Sequence, residues 1–264
     1  MAFSRPAQFP ENQTPPVLLG ASRQLAVSAY DAVFVRKDPP FDDEYLWLTL
    51  MLDLSSEDTL IINEPSGLRA ANEKLYALHF PEVIPETLVS SSGQDIRSFV
   101  TEVGGKGVIK PVDGHGGEGI FVLTEGDLNF NAHVETVTRN GTRVAMVQRY
   151  LPEVRQGDKR ILLIDGEPLG AINRVPAPDD ARSNIHVGGS VQPAALDAAD
   201  QEIIRRLAPR LVADGLHFVG LDVIGGKLTE VNVTSPTGIR QMARFDGKDP
   251  AARVIEWAED HRRH

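Results

Sequence analysis

Short apolar runs punctuated by proline, glycine and acidic turns recur along the chain, and the period of each run predicts its element. AVFV (32–35) and LIIN (60–63) are continuous apolar runs, the pattern of strands covered on both faces. A helix is predicted between them from about Asp43. After Glu64-Pro65, Ser66 is the expected N-cap of a helix through about Phe80. Leu68, Ala71, Leu75 and Leu78 take helical spacing there, with Lys74 beside the stripe. Strand–helix–strand–helix implies parallel α/β structure in this first third. Residues 1–30 carry four prolines and little periodicity, so a loose entry segment is expected.

From about Glu86 the character changes. ETLV, GVIKPV, IFVL and VAMVQRYL read as strands, with helices near 94–103 and 132–138. RILLIDGEPLGAINRV holds Asp165-Gly166 between alternating runs, a type I′ hairpin signal. Residues 176–192 form a long polar loop rich in Gly and Pro, either a lid or a plain surface loop. A helix should run from Asp197 as N-cap to Gly215 as C′ residue, kinked at Pro209. After GIRQMARFDGKDP, a closing amphipathic helix is expected from about Ala251.

VGLDVIGGKLTEVNVTSPT (219–237) is two apolar runs broken by Gly225-Gly226, a β-hairpin. Strand alternation puts Glu230 and Asn232 on one face and Val231 and Val233 on the other. A two-residue turn would align Asp222 with Thr229, on the valine side. A loop with an odd residue count would align Asp222 with Leu228 and gather Asp222, Glu230 and Asn232 on one wet face. Segregation of polar from apolar side chains predicts the odd loop. Three oxygen-bearing side chains without Cys or His suit a hard cation such as Mg²⁺ at nucleotide phosphates; a solvated strand face is the alternative.

Composition narrows the class. At 264 residues and 28.8 kDa, the chain can bury one large core or two small ones. A net charge of −10 argues against nucleic-acid binding, so an anionic substrate would need a locally basic cleft. With no cysteine there is no disulfide and no thiolate metal site, which points to a reducing compartment, the cytoplasm. The first residues lack a signal-peptide core, and no run approaches the ~18 apolar residues that span a membrane.

Asp113-Gly-His-Gly-Gly-Glu-Gly119 lies between two β-forming runs rather than before a helix, so its GxGxxG spacing does not read as a dinucleotide-binding turn. Strand–glycine loop–strand suits a flap whose backbone N–H groups cover phosphates, or a ligand-free turn. There is no GxxxxGK[ST] and no GxSxG motif. Lys110 closes the apolar GVIK strand, where a phosphate would be a natural partner. Lys74 would supply a second cation; either lysine also reads as a snorkelling surface residue. Two lysines, a glycine flap and an acidic hairpin are what MgATP requires. The backbone of Gln148-Arg149-Tyr150-Leu151 would meet an adenine edge, or is an ordinary strand end. Arg160, Arg174 and Arg182 would form the positive field that draws in carboxylates. His115 and His186 read as solvent-facing.

Together these stretches resemble the ATP-grasp superfamily, and within it the prokaryotic-type glutathione synthetases. The matching segments are VRKDPPFD (35–42), NEKL (72–75), IKPVDGHGGEGIF (109–121), QRYLP (148–152), GDKRILLIDGEP (157–168) and GLDVIGGKLTEVNVTSPTGIR (220–240). The resemblance implies an α/β (α+β) chain: an ATP-grasp fold over 66–264, preceded over 1–65 by a partial Rossmann-like pre-ATP-grasp domain. Residues 66–150 would be its nucleotide-flap subdomain and 151–264 its metal and substrate subdomain. It implies ligation of γ-glutamylcysteine to glycine through an acyl phosphate, at the expense of ATP, with Mg²⁺ or Mn²⁺. No enzyme nucleophile is needed for that chemistry.

By the same resemblance Lys74, Lys110, Gly116, Gly117, Glu118 and Gly119 would hold the phosphates. Gln148, Arg149, Tyr150, Leu151 and Asp158 would surround the nucleoside. Asp222, Glu230 and Asn232 would bind metal. Arg160, Arg174 and Lys110 would be catalytic, and Arg160, Arg174, Arg182, Ser235 and Thr237 would contact substrate. Family members usually carry further βα structure before the RKDPP segment, where this chain has a proline-rich stretch from truncation or rebuilding. The edge of the sheet at 32–35 is then expected to be exposed. GGSVQP (188–193) also lacks an expected basic residue. A homo-oligomer is implied by resemblance alone. The alternatives are another ATP-grasp carboxylate–amine ligase, or a nucleotide binder without turnover.

Overall fold

The computed structural model describes residues 1–10, 17–177, 190–247 and 249–262. Most of the predicted lid lies outside them, including Arg182 and His186. The chain begins with β1 (Ala2–Ser4), β2 (Ala7–Gln8), β3 (Leu18–Leu19) and β4 (Arg23–Leu25). Here β1 pairs with β4 and β2 with β3, both antiparallel, so the entry segment is ribbon rather than loose coil. Pro6 falls between strands, and its carbonyl accepts from Gly20 N–H at 2.8 Å instead of breaking a ladder.

β5 (Ala32–Phe34) and β6 (Leu60–Ile62) pair in parallel across α1 (Asp43–Asp53), as the alternating pattern predicts. Asp42 caps α1 by accepting from Tyr45 N–H at 2.9 Å, and Asp43 and Glu44 complement the helix dipole. The outer face of α1 leaves Trp47, Leu50 and Met51 exposed.

The helix expected from Ser66 to Phe80 is two pieces. α2 (Pro65–Ala70) starts at Pro65 with Glu64, not Ser66, in the cap position. It stops at Ala71, and the Asn72 side chain takes Lys74 N–H and Leu75 N–H to start a separate 3-10 turn over Leu75–His79. The break turns Glu73 and Lys74 toward the second half of the chain, and Leu78 is exposed rather than on a buried stripe.

Next come β7 (Thr87–Ser90), α3 (Gly93–Glu102), β8 (Lys106–Pro111), β9 (Phe121–Thr124), α4 (Phe130–Thr138) and β10 (Ala145–Arg149). These strands form an antiparallel sheet in the order β7-β10-β8-β9. Ile109, Leu123, Ala145 and Val147 face Ile96 and Val100 of α3 and Phe130, Val134 and Val137 of α4.

The rest is β11 (Asp158–Ile164), β12 (Glu167–Val175), β13 (Ser190–Ala194), α5 (Ala198–Ala213), β14 (Phe218–Ile224), β15 (Lys227–Asn232), α6 (Ile239–Asp246) and α7 (Pro250–Asp260). The second antiparallel sheet runs β13-β12-β11-β14-β15. The β11–β12 turn has positive φ at Asp165 and Gly166, as the hairpin signal predicts. Asp197 caps α5 in a capping box with Asp200, Pro209 lies inside that helix, and Gly215 has positive φ just past its end. The end of the predicted lid instead supplies the edge strand β13, paired to β12. The sequence predicts no helix at α6, because its N-cap is Gly238 and no capping side chain marks its start.

Each strand of this sheet divides its side chains between two cores. One face sends Ile161, Leu163, Leu221, Val223, Leu228 and Val231 against Ile203, Leu207 and Leu211 of α5. The other sends Leu162, Ile164, Ile172 and Phe218 against Met242, Val254 and Ala258. On that second face the alternation continues into Asp158, Arg160, Arg174 and Asp222, so the polar site is the prolongation of an apolar core.

Candidate active site

The hairpin of β14 and β15 closes through a two-residue turn, Gly225-Gly226, both with positive φ, and not through an odd loop. Ile224 pairs with Lys227 and Val223 with Leu228; the register then slips by one, so Asp222 faces Glu230 and Gly220 faces Asn232. Thr229 is the extra residue of a bulge, and its hydroxyl donates to the Asp222 carbonyl at 3.2 Å. Asp222 therefore faces Glu230 and not Leu228, while the expected segregation holds: Asp222, Glu230 and Asn232 gather, and Leu221, Val223, Val231 and Val233 are buried opposite.

The face is not wet. Asp222 is 5% exposed and pinned by two guanidiniums. Arg160 grips both carboxylate oxygens, through Nε at Oδ1 and Nη2 at Oδ2 (2.9 Å). Arg174 Nη2 lies 2.9 Å from Oδ1 and 2.7 Å from Asp158 Oδ2. Asn232 Nδ2 adds a bond to Oδ2 at 3.2 Å. Burial alone would raise the Asp222 pKa; Arg160 and Arg174 outweigh it and hold the carboxyl well below the usual range. Gly220 makes room for this packing: a Cβ there would meet Pro236 Cβ at 3.0 Å and Arg160 Cδ at 3.1 Å.

Glu230 is partly exposed, with Oε1 2.9 Å from Lys74 Nζ. Among the described residues Glu230 Oε2 and Asn232 Oδ1 accept no hydrogen bond, so one strand face at the cavity carries two hard oxygen donors without a described partner. Among the described residues no three His, Cys, Asp or Glu form a metal cluster; the set needs the Asn232 amide to complete it. The donor chemistry fits a hard divalent cation.

Both predicted lysines are buried, Lys74 at 5% and Lys110 at 8% exposure, rather than snorkelling at the surface. Lys110 Nζ donates to the Thr229 carbonyl at 3.4 Å, and burial pushes its pKa down. Lys74 Nζ also donates to the carbonyl of Gly114, tying the glycine loop to the acidic hairpin. That loop joins β8 to β9 and has positive φ at Gly116, Gly117 and Gly119.

A cavity of about 480 Å³ opens where the two sheets face each other. It is lined by Lys110, Gly116, Gly117, Gln148, Arg149, Tyr150, Leu151, Asp158, Arg160, Arg174, Asp222, Glu230, Asn232, Ser235 and Thr237, which sequence reasoning singled out. Glu118 and Gly119 are exposed outside this lining, and His115 stands at its rim. Arg149 N–H and Tyr150 N–H are already bonded to the carbonyls of Glu86 and Lys106, so those two amides are not open to a base edge. Four lining side chains are cationic (Lys110, Arg149, Arg160, Arg174) and five anionic (Asp38, Glu73, Asp158, Asp222, Glu230). The expected positive field is thus balanced by the carboxylates that hold the arginines.

Sequence reasoning missed Asp38, Glu73 and Thr234, and the apolar walls Val108, Ile120, Val122, Val154 and Ile224. Asp38 and Glu73 lie inside RKDPP and NEKL, the one available signal; the walls look like any other strand residues.

Residues 73–247 match the model of the prokaryotic glutathione synthetase ATP-grasp domain, and residues 1–69 that of the prokaryotic glutathione synthetase N-terminal domain. A glutathione synthetase of Gloeobacter violaceus is 52% identical over 243 residues, covering 90% of this chain and 75% of that protein. That of a Synechocystis strain is 50% identical over 242 residues, covering 91% and 75%. Among solved structures, a D-cycloserine synthetase superimposes with a TM-score of 0.67 at 19% identity, over 89% of this chain and 86% of its own, which shows the shared fold.

Proposed function

The chain belongs to the prokaryotic glutathione synthetase family, and from that premise we propose which substrates it joins and which residues act. It is an ATP-dependent ligase of ATP-grasp fold that uses a divalent cation. In our reading, the cysteinyl carboxylate of γ-glutamylcysteine attacks the γ-phosphorus of ATP and ADP leaves. The glycine amine then adds to the acyl phosphate carbonyl, loses a proton and expels phosphate, giving glutathione.

Lys110 carries the phosphate role most directly, since a desolvated ammonium gains most from an anionic partner. Lys74 would exchange the Gly114 carbonyl for a phosphate oxygen, letting the glycine loop settle with Gly116 and Gly117 N–H groups over the nucleotide. Gln148, Arg149, Tyr150 and Leu151, with Val108, Val122 and Ile224, would enclose the base, and Asp158 would lie near the ribose. Arg160 and Arg174 are fixed by Asp158 and Asp222, so they meet developing charge without reorganising. Glu230 and Asn232 would hold Mg²⁺, or Mn²⁺ in its place, joined by Asp222 as it shares its arginine bonds. Bound there, the cation neutralises charge on the phosphate oxygens. Ser235 and Thr237 would contact the glycine end, and Arg182 the peptide. A cysteine-free, ATP-consuming chain fits a cytoplasmic setting.

The observation that carries this reading is the meeting of Lys110, the Gly116-Gly117 loop and the Asp222–Glu230–Asn232 face around one cavity. Purified protein incubated with Mg²⁺, ATP, γ-glutamylcysteine and glycine should yield glutathione by mass detection. Phosphate released with another acceptor pair but not with this one would overturn the substrate assignment. Nucleotide binding without any release would overturn turnover itself.

A further inference from the structure

The segment after β15 carries Ser235 and Thr237 into the cavity, and it belongs to no helix or strand. Its position is set by residues far away in sequence. Glu73 Oε1 accepts three hydrogen bonds from it: Val233 N–H at 3.0 Å, Thr234 N–H at 3.0 Å and the Thr234 hydroxyl at 2.8 Å. The Glu73 carbonyl accepts Val231 N–H at 2.9 Å, so one residue grips the strand end and the segment beyond it. Asn63 Nδ2 donates to the Val233 carbonyl at 2.7 Å, and Arg36 Nη2 to the Pro236 carbonyl at 2.9 Å.

A carboxylate oxygen that accepts three donors is a short, directional anchor, stronger than neutral pairs. Glu73 is partly buried and lines the cavity, and among the described residues its Oε2 accepts no hydrogen bond. Its neighbour Lys74 pairs with Glu230 two strand positions before Asn232. Glu73 and Lys74 thus face opposite ends of one short path, the acceptor segment and the acidic hairpin.

We propose that Glu73 is a positioning residue for the acceptor amine: it fixes residues 233–237 so that Ser235 and Thr237 present a preformed subsite. The proposal rests on the reading above that this segment meets the acceptor. Glutamine keeps an oxygen acceptor at the same place, whereas alanine leaves three donors without one.

The test compares wild type, Glu73→Ala, Glu73→Gln and Ser235→Ala, in the full chain, by steady-state kinetics and amide hydrogen exchange. Glu73→Ala should exchange the Val233 and Thr234 amides at least about tenfold faster and raise KM for glycine about 10- to 100-fold. KM for MgATP should stay within about twofold, and Glu73→Gln should restore most of both effects. Unchanged exchange in Glu73→Ala overturns the proposal, as does an equal rise in both KM values or a glutamine no better than alanine. Where exchange quickens but glycine KM does not move, Ser235→Ala separates the causes. If that variant also leaves glycine KM unchanged, the acceptor assignment of the segment falls; if it raises glycine KM, the part given to Glu73 falls.

Discussion

Asp222 and Glu230 stand directly opposite each other because Thr229 bulges out of β15. An unbulged two-glycine hairpin would put Thr229 across from Asp222 and turn Glu230 to the other face. The acidic pair therefore depends on one irregular residue, whose hydroxyl is satisfied by the Asp222 carbonyl.

Asp222 is the structural counter-ion of Arg160 and Arg174, besides its proposed part as a metal ligand. Asp222→Asn strips the charge that balances Arg160 and Arg174 in a buried site, which costs about 3–5 kcal/mol. Thermal unfolding should show a midpoint roughly 10 °C lower, together with loss of phosphate release. Because the native pKa of Asp222 is depressed, its stabilisation holds above the ordinary carboxylate range and is lost only as pH falls through the native value. An Asp222→Asn protein as stable as wild type would contradict the paired geometry.

Glu230 should behave differently. Its side chain is 24% exposed and its one described partner is Lys74. Glu230→Gln should cost less in denaturant unfolding than Asp222→Asn, because an amide oxygen at that half-open position can still accept from the buried Lys74 ammonium. Turnover should fall about 100-fold or more, with half-maximal activity moved to higher Mg²⁺. Equal loss of stability in both carboxylate variants would argue against this division.

Lys110, proposed to meet phosphate, is a source of instability while its ammonium is buried without an anion. Its pKa is lowered by burial, so below the native value the charged form is disfavoured relative to the unfolded chain. That cost is present at neutral pH and is relieved as pH climbs from the native pKa toward 10.5. Lys110→Met should raise the unfolding midpoint of the nucleotide-free protein and abolish the further rise that MgATP gives wild type. A lower midpoint for Lys110→Met without nucleotide would refute the assignment.

Gly220→Ala tests the packing between Arg160 and the segment proposed to meet the acceptor. The new methyl would press on Pro236 and Arg160 at distances tighter than ordinary contact, so one of them must shift. The protein should fold, with stability reduced by roughly 1–3 kcal/mol, and kcat/KM for glycine should fall more than that for MgATP. Unchanged kinetics would show that the segment has slack.

Local signals carried much of this architecture. Asp165-Gly166 marked its turn, Asp197 its cap and Gly215 its helix end, because each acts on neighbours within a few residues. The glycine loop was legible because two β-forming runs flank it. The bulge at Thr229 was not, since nothing in LTEVN tells which residue leaves the ladder. Helix continuity past Ala71 failed for a related reason: the apolar spacing persists, but the hydrogen bonds of Asn72 and Glu73 win. In sequence Arg160 and Arg174 read as part of a local positive field, and only three-dimensional pairing reveals that Asp158 and Asp222 match them. Charge balance in a cavity is a long-range property that no window of sequence contains.

The bond from Arg36 to Pro236 spans 200 residues, and those from Glu73 to Thr234 span 161. Both ties are non-local, and each closes a long loop of chain. During synthesis the acidic hairpin emerges before the ties that set its flank can form. A chain cut short at the hairpin therefore lacks the ties that fix the segment after it, whatever else of the fold has formed.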